Sequence, residues 1–153
     1  MSESNQLLVR RIRNGTVIDH IEAGKALIVL NKLGITGKDG DIITVALNVP
    51  SNKIFKKDII KVENKFLEQD DTNKLALLSP NATINIIKEY RLIEKRNIGL
   101  PDVIVDIFKC PNLRCISNSE ENIHSNIRVI DKKDIILKCS YCSRIIKIND
   151  LVS

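Results

Sequence analysis

Along the N-terminal part of the chain the spacing of hydrophobic and polar positions changes several times, and each change marks an element. Leu7 to Arg13 and Thr16 to Ile21 read as extended chain, broken at Asn14-Gly15. Ala23, Ala26, Leu27 and Leu30 recur at i, i+3, i+4 and i+7, one face of a helix that Gly34 ends. Ile43, Val45, Leu47 and Val49 alternate with Ile42, Thr44, Ala46 and Asn48, as in a half-buried strand, and Pro50-Ser51-Asn52 turns the chain. Ile60, Val62 and Phe66 share one side of the next strand, with Lys61, Glu63 and Lys65 on the other. Asp70-Asp71-Thr72 opens a short helix, since acids and hydroxyls suit its unsatisfied N–H groups, and Pro80 stops it. Thr83 to Lys95 reads as one long final strand.

The order β-α-β-β-α-β predicts an α+β fold: an open ferredoxin-like (split βαβ) sheet covered on one face by two helices. Gly99-Leu100-Pro101 interrupts the pattern and divides the chain into a first domain, residues 1–98, and a second, residues 102–153. The second domain is a small, β-rich, zinc-ribbon-like unit, with short strands expected over Val103 to Phe108, Asn126 to Ile130, Ile135 to Lys138 and Ile145 to Ile148.

Composition changes this picture in two ways. Aromatic residues make up only 3% of the 153 residues while hydrophobic ones reach 43%, so the core must be built from Ile, Leu and Val. The net charge of +5 is spread along the chain without a basic run, which reads as a mixed solvated surface as readily as a nucleic-acid footprint. Four thiolates with one Zn²⁺ would bring that charge to about +3. The N-terminus is polar, and no stretch approaches the ~20 apolar residues of a membrane helix. A cytoplasmic protein without a membrane partner is expected.

In that compartment closely spaced cysteines are metal ligands rather than disulfides. Cys110 and Cys115 form one pair, Cys139 and Cys142 another, and they account for all four cysteines of the chain. A short turn between two cysteines aims both sulfurs at one point, as a tetrahedral zinc requires. With every ligand supplied by protein, no position stays open for substrate, so the zinc is structural. About fifty residues with few aromatics cannot build a sufficient core, and the metal supplies folding free energy.

Nothing in the chain argues for catalysis. No GxxxxGK[ST], GxGxxG, GxSxG or HExxH motif is present, and the only histidines are His20 and His124. Several segments, in order, instead resemble the regulatory chain of aspartate carbamoyltransferase. They are Gly15-Thr-Val-Ile-Asp-His-Ile21, Asn48-Val-Pro-Ser51, Lys57-Asp-Ile-Ile-Lys-Val-Glu-Asn64, Pro80-Asn-Ala-Thr-Ile-Asn85 and the Cys-x₄-Cys…Cys-x-x-Cys framework. The resemblance implies a non-catalytic subunit in pyrimidine biosynthesis. Its N-terminal domain would bind CTP and ATP, with UTP in some members, and pair with a second regulatory chain. Its zinc domain would contact a catalytic chain.

Residue by residue, the resemblance implies that Val9 and Ile12 line the base and Asp19 faces the ribose. Lys61 would contact ribose or base, His20 and Lys95 the phosphates, and Asn85 with the backbone around Tyr90 would complete the site. The chemistry is coherent: lysine is a compact phosphate partner, and Asp accepts bonds from ribose hydroxyls. Gln6 and Arg10 depart from the family, where a lysine and an acid are usual, and both alter charge beside the site. The alternatives are a zinc-ribbon nucleic-acid-binding protein, against which stand the few aromatics available for stacking, and an unrelated small-molecule-binding module.

Overall fold

The computed structural model describes residues 11–52 and 55–152, so Val9, Gln6 and Arg10 lie outside the described residues. The chain divides into two compact units, residues 1–98 and 99–153.

In the first unit, β1 (Gly15–Glu22), α1 (Ala26–Lys32), β2 (Ile43–Pro50), β3 (Lys56–Glu63), α2 (Gln69–Leu78), β4 (Thr83–Lys88) and β5 (Arg91–Asn97) follow in order. The strands form one antiparallel sheet in the order β2-β3-β1-β4-β5. Because β3 lies between β1 and β2, the β1-α1-β2 passage is a split βαβ unit, and the first four strands have the ferredoxin-like order. Ile18, Ile60, Val62, Ile84 and Ile86 are buried on one face, together with Ala26 and Val29 of α1 and Leu75 to Leu78 of α2.

Gly15 opens β1 at φ +147, and an added Cβ would run into the Val62 carbonyl oxygen, so only glycine brings β1 this close to β3. Helix α2 begins after Glu68, whose N–H donates to the Asp71 carboxylate. Ser79 follows the last turn and Pro80 prevents its continuation.

Four details depart from the sequence pattern. The segment from Thr83 to Lys95 is a hairpin rather than one strand. Glu89 and Tyr90 both adopt positive φ (49° and 64°), the geometry of a tight turn whose twist suits a hairpin. The helix starts at Ala26, and its buried residues are Ala26 and Val29, while Leu27 is 62% exposed. Strand β2 carries a bulge between Ala46 and Val49, with Asn48 at φ 59. The extra residue inverts the alternation, so Leu47 faces solvent and Val49 packs with Ile59 against Val17 and Ala46. Finally, β3 ends at Glu63, leaving Lys65 and Phe66 beyond it.

The second unit contains β6 (Val103–Val105), α3 (Ile116–Ser119), β7 (Asn126–Asp131), β8 (Ile136–Cys139), β9 (Ile145–Lys147) and α4 (Ile148–Val152). Its strands form an antiparallel meander in sequence order. Ile104, Ile127, Leu137 and Ile146 contribute one buried aliphatic side chain per strand, and Cys139 of β8 is buried as well. The first strand is shorter than its pattern because Asp106 turns away at φ 58. Among the described residues, no helix is long and apolar enough to cross a membrane.

Candidate functional site

Side chains alternate across a strand, so the residues between the buried isoleucines of the first unit must face away from the helices. One cross-sheet row on that face runs Thr44, Lys61, Val17, Asn85 and Lys95, each paired with the next on the neighbouring strand. Lys95 meets Asn85 directly across the β4–β5 hairpin, so the turn at Tyr90 puts both on one face. Asp19 stands two residues along from Val17. Val17, Asp19, Ile59, Lys61, Asn85, Ile87, Leu92 and Lys95 line a groove of about 510 Å³. Its floor is aliphatic and its polar groups are two amines, an amide and a carboxylate.

A second cavity of about 100 Å³ shares Val17, Lys61 and Ile87 with the groove and adds Arg11, Ile12 and Tyr90. The Tyr90 turn is held there on both sides: its N–H donates to the Arg13 carbonyl at 2.9 Å, and its carbonyl accepts from Arg11 Nη2 at 3.2 Å. Lys61, only 7% exposed, has its pKa lowered below 10.5 by burial first and the charge of Arg11 second, with Asp19 and Glu63 opposing.

At the other end β1 bulges between Ile18 and Ile21, with His20 at φ 56. This bend lets neighbouring residues Asp19 and His20 serve one corner. Asp19 Oδ1 accepts from the His20 N–H at 2.6 Å and pairs with Lys57 Nζ at 3.0 Å. The imidazole Nδ1 lies 3.3 Å from Thr83 Oγ1 and 3.8 Å from Asp19 Oδ2. His20 itself opens into an adjacent cavity of about 580 Å³ with Phe55, Lys56 and Asn81 rather than into the groove. The structure thus brings Asp19, Lys61, Asn85 and Lys95 into one groove, Ile12 and Tyr90 into its extension, and His20 to its rim.

Three residues escaped the sequence reading. Lys57 lies two and four residues before Ile59 and Lys61, so simple alternation carried back along β3 would have put it on the groove face. Arg11 was passed over beside Ile12. Asp58 shares the parity of the buried Ile60 and Val62, and a carboxylate on that face was itself a signal. It is fully buried and accepts three backbone N–H bonds: Gly24 at 2.9 Å, Ala26 at 3.1 Å and Asn48 at 2.9 Å. It therefore ties the start of α1 and the β2 bulge to the strand that carries Lys57 and Lys61.

In the second unit the four cysteine sulfurs all lie within 4.8 Å of one another. Cys110 and Cys142 approach to 3.7 Å and Cys115 and Cys139 to 3.6 Å, so the close contacts run between the two Cys pairs. A disulfide needs ~2.05 Å, whereas four thiolates ~2.3 Å from a tetrahedral zinc are separated by about 3.8 Å. The donor set therefore fits a tetrahedral, thiolate-bound metal. Both turns are built from within. Asn118 Nδ2 donates to the carbonyls of Cys110 and Asn112, both at 2.8 Å, and the Cys139 N–H donates to Arg144 O at 3.0 Å.

Burial raises the Cys110 thiol to about 12 against a hydrogen bond from the Asn112 backbone. Burial also opposes ionisation of Cys142, but bonds from the Arg144 backbone N–H and the Asn112 side chain prevail and lower it to about 6. Four sulfurs this close cannot all carry charge without a cation among them. Cys110, Cys115 and Cys139 are buried, leaving little room for a further ligand.

Residues 7–99 match the family model described as "Aspartate carbamoyltransferase regulatory chain, allosteric domain". Residues 102–152 match "Aspartate carbamoyltransferase regulatory chain, metal binding domain". The chain is 60% identical over 149 residues to an aspartate carbamoyltransferase regulatory chain of Nitrosopumilus maritimus, covering 97% of each. It is 59% identical to that of Cenarchaeum symbiosum over 149 residues, again 97% of each chain. The regulatory chain of Hyperthermus butylicus is 45% identical over 152 residues, 99% of this chain and 95% of the relative.

Proposed function

The chain belongs to the family of aspartate carbamoyltransferase regulatory chains, and on that premise we propose that its first unit senses CTP and ATP, with UTP a third effector, while its second docks it to a catalytic chain. It is a regulatory, non-catalytic subunit. The observation that carries the nucleotide reading is the cross-sheet row, which sets Lys61, Asn85 and Lys95 beside Asp19 over an aliphatic floor. The aliphatic extension suits a base, with Ile12, the Tyr90 backbone and, beyond the described residues, Val9 around it. Asp19 would face the ribose and Lys61 the ribose or base. Lys95, with His20 at the rim, would meet the phosphates. A nucleotide that binds one quaternary state better shifts the assembly towards it, by a coupling of ~1–3 kcal/mol.

One structural Zn²⁺ on Cys110, Cys115, Cys139 and Cys142 would hold the second unit together. Leu113, 87% exposed, with Ile116 and Tyr141 also exposed, gives the metal turns an apolar surface suited to the catalytic chain. The outer strands β2 and β5 offer backbone edges for pairing with a second regulatory chain in a cytoplasmic hetero-oligomer. Membership of this family does not favour the nucleic-acid-binding alternative.

The test is calorimetric titration of CTP and ATP into the full chain, Lys61→Ala and Lys95→Ala. A hydrogen bond to a charged group is worth roughly 1.5–3 kcal/mol, so either substitution should weaken binding by tens-fold, while Arg144→Ala in the metal unit should not. Equal loss in all three variants would place the effect in general electrostatics. Co-purification with a catalytic carbamoyltransferase chain tests the partner.

A further inference from the structure

The sheet of the second unit buries Ile104, Ile127, Leu137 and Ile146 on one face, and alternation gives the opposite face to their neighbours along each strand. One cross-strand row on that open face runs Val103, Arg128, Lys138 and Ile145, each paired with the next on the neighbouring strand. Two cations thus stand directly opposite each other, with an exposed aliphatic side chain beyond each. Lys147, paired with Ile136, adds a third cation to the same face.

Like charges opposite each other on adjacent strands, with Cβ atoms ~5 Å apart, repel. The described residues supply no acid to relieve them. Asp131 is the one acid in the four strands, and its carboxylate accepts the N–H groups of Lys133 and Asp134 at 2.9 and 3.1 Å in the following turn. Asp102 pairs with Lys132 at 2.9 Å and Asp106 with His124 at 3.2 Å. A carboxylate placed between Arg128 and Lys138 would accept from both, and the guanidinium can hold it bidentate. The spacing also defines what flanks that carboxylate. Neighbouring strands lie about 4.8 Å apart, so Val103 and Ile145 each stand about 7 Å from the midpoint of the row. That is about two residues of extended chain at ~3.3 Å each, and side chains two residues apart share a face. The matching segment is extended and crosses the strands, with an acid at its centre and an aliphatic residue two positions to either side.

On the reading that the second unit docks to a catalytic chain, we propose that this open sheet face receives such an acidic segment of that chain. Its carboxylate bridges Arg128 and Lys138, and its aliphatic side chains lie on Val103 and Ile145.

The experiment measures the affinity of the full chain for the cognate catalytic carbamoyltransferase chain in the parent, Arg128→Ala, Lys138→Ala and Lys38→Ala, the last an exposed lysine of the first unit. Zinc content, thermal melts of the second unit and the mass of the chain alone are followed in each. Arg128→Ala and Lys138→Ala should each weaken binding about tenfold and Lys38→Ala should not. The melting temperature should hold or rise in the first two, because a repulsion is removed. Undiminished binding by both, with the parent bound, would overturn the sheet-face assignment and leave docking through the metal turns standing. Equal loss in all three variants would reduce the effect to net charge, and a loss matched by a fall in melting temperature would reduce it to stability; either overturns the proposal. A change in the mass of the chain alone would give the face to a second copy and overturn it as well. A parent that does not bind the catalytic chain would overturn the docking reading and this proposal together.

Discussion

The two units answer the same shortage of aromatic side chains in different ways. The first covers one face of its sheet with two helices and fills the gap with Ile, Leu, Val and Ala, among them Ile18, Ile60, Ile84, Leu75 and Leu77. That leaves the opposite face available for a groove carrying the buried amine of Lys61, the exposed amine of Lys95 and the half-buried carboxylate of Asp19. The second buries Ile104, Ile127, Leu137 and Ile146 from its four strands, with Leu151 of α4, and four sulfurs converge beside them. Burial of a few aliphatic side chains at ~1.5–3 kcal/mol each does not offset the chain entropy of some fifty residues. A thiolate-bound metal does, because its binding free energy becomes folding free energy. The first unit can therefore spend surface on ligand chemistry, while in the second the polar chemistry is what holds the fold.

Removing one ligand breaks the comparison most sharply. Cys139→Ala, or a strong chelator, should unfold the second unit, since structural zinc contributes ~10–16 kcal/mol in small zinc domains. The first unit should stay folded. Amide hydrogen exchange with a zinc assay checks this, and a protected second unit without metal would show that its aliphatic residues suffice.

The first unit has its own polar tie in Asp58. Asp58→Ala leaves the backbone N–H groups of Gly24, Ala26 and Asn48 without their acceptor and should cost about 3–5 kcal/mol. Thermal melts followed separately for each unit should show the loss in the first alone. A fall of less than ~1 kcal/mol would mean that water replaces the carboxylate.

The smallest expected effect is a gain. Lys61 loses hydration on folding and its pKa is lowered from 10.5, so the unfolded chain holds that proton more tightly. Stability then rises with pH just below 10.5, where the folded unit sheds the proton first. Lys61→Met should raise the stability of the first unit by up to about 1 kcal/mol near neutral pH, while removing a groove amine. Its advantage should shrink as pH rises towards 10.5. An advantage independent of pH would assign it to packing rather than charge.

The sequence by itself determined the properties that depend on neighbours along the chain. Alternation placed Lys61 opposite Ile60 and Val62, Pro80 ended α2, and the cysteine spacing paired the sulfurs, since both periodicity and a short turn are local geometry. The split βαβ order and the family resemblance were legible for the same reason. What only the tertiary structure decided lies where the local period is interrupted. The bulges at Asn48 and His20 shift the pattern by a residue, and the Glu89-Tyr90 turn folds an apparent strand into a hairpin that seats Lys95 against Asn85. The pairing of Lys57 with Asp19, the hold of Arg11 on Tyr90 and the burial of Asp58 under three N–H groups join residues 32 or more apart, apart from the Asn48 bond. No repeating pattern encodes those contacts. They exist because the sheet order sets β1 between β3 and β4, and the backbone groups and charges then satisfy one another across strands.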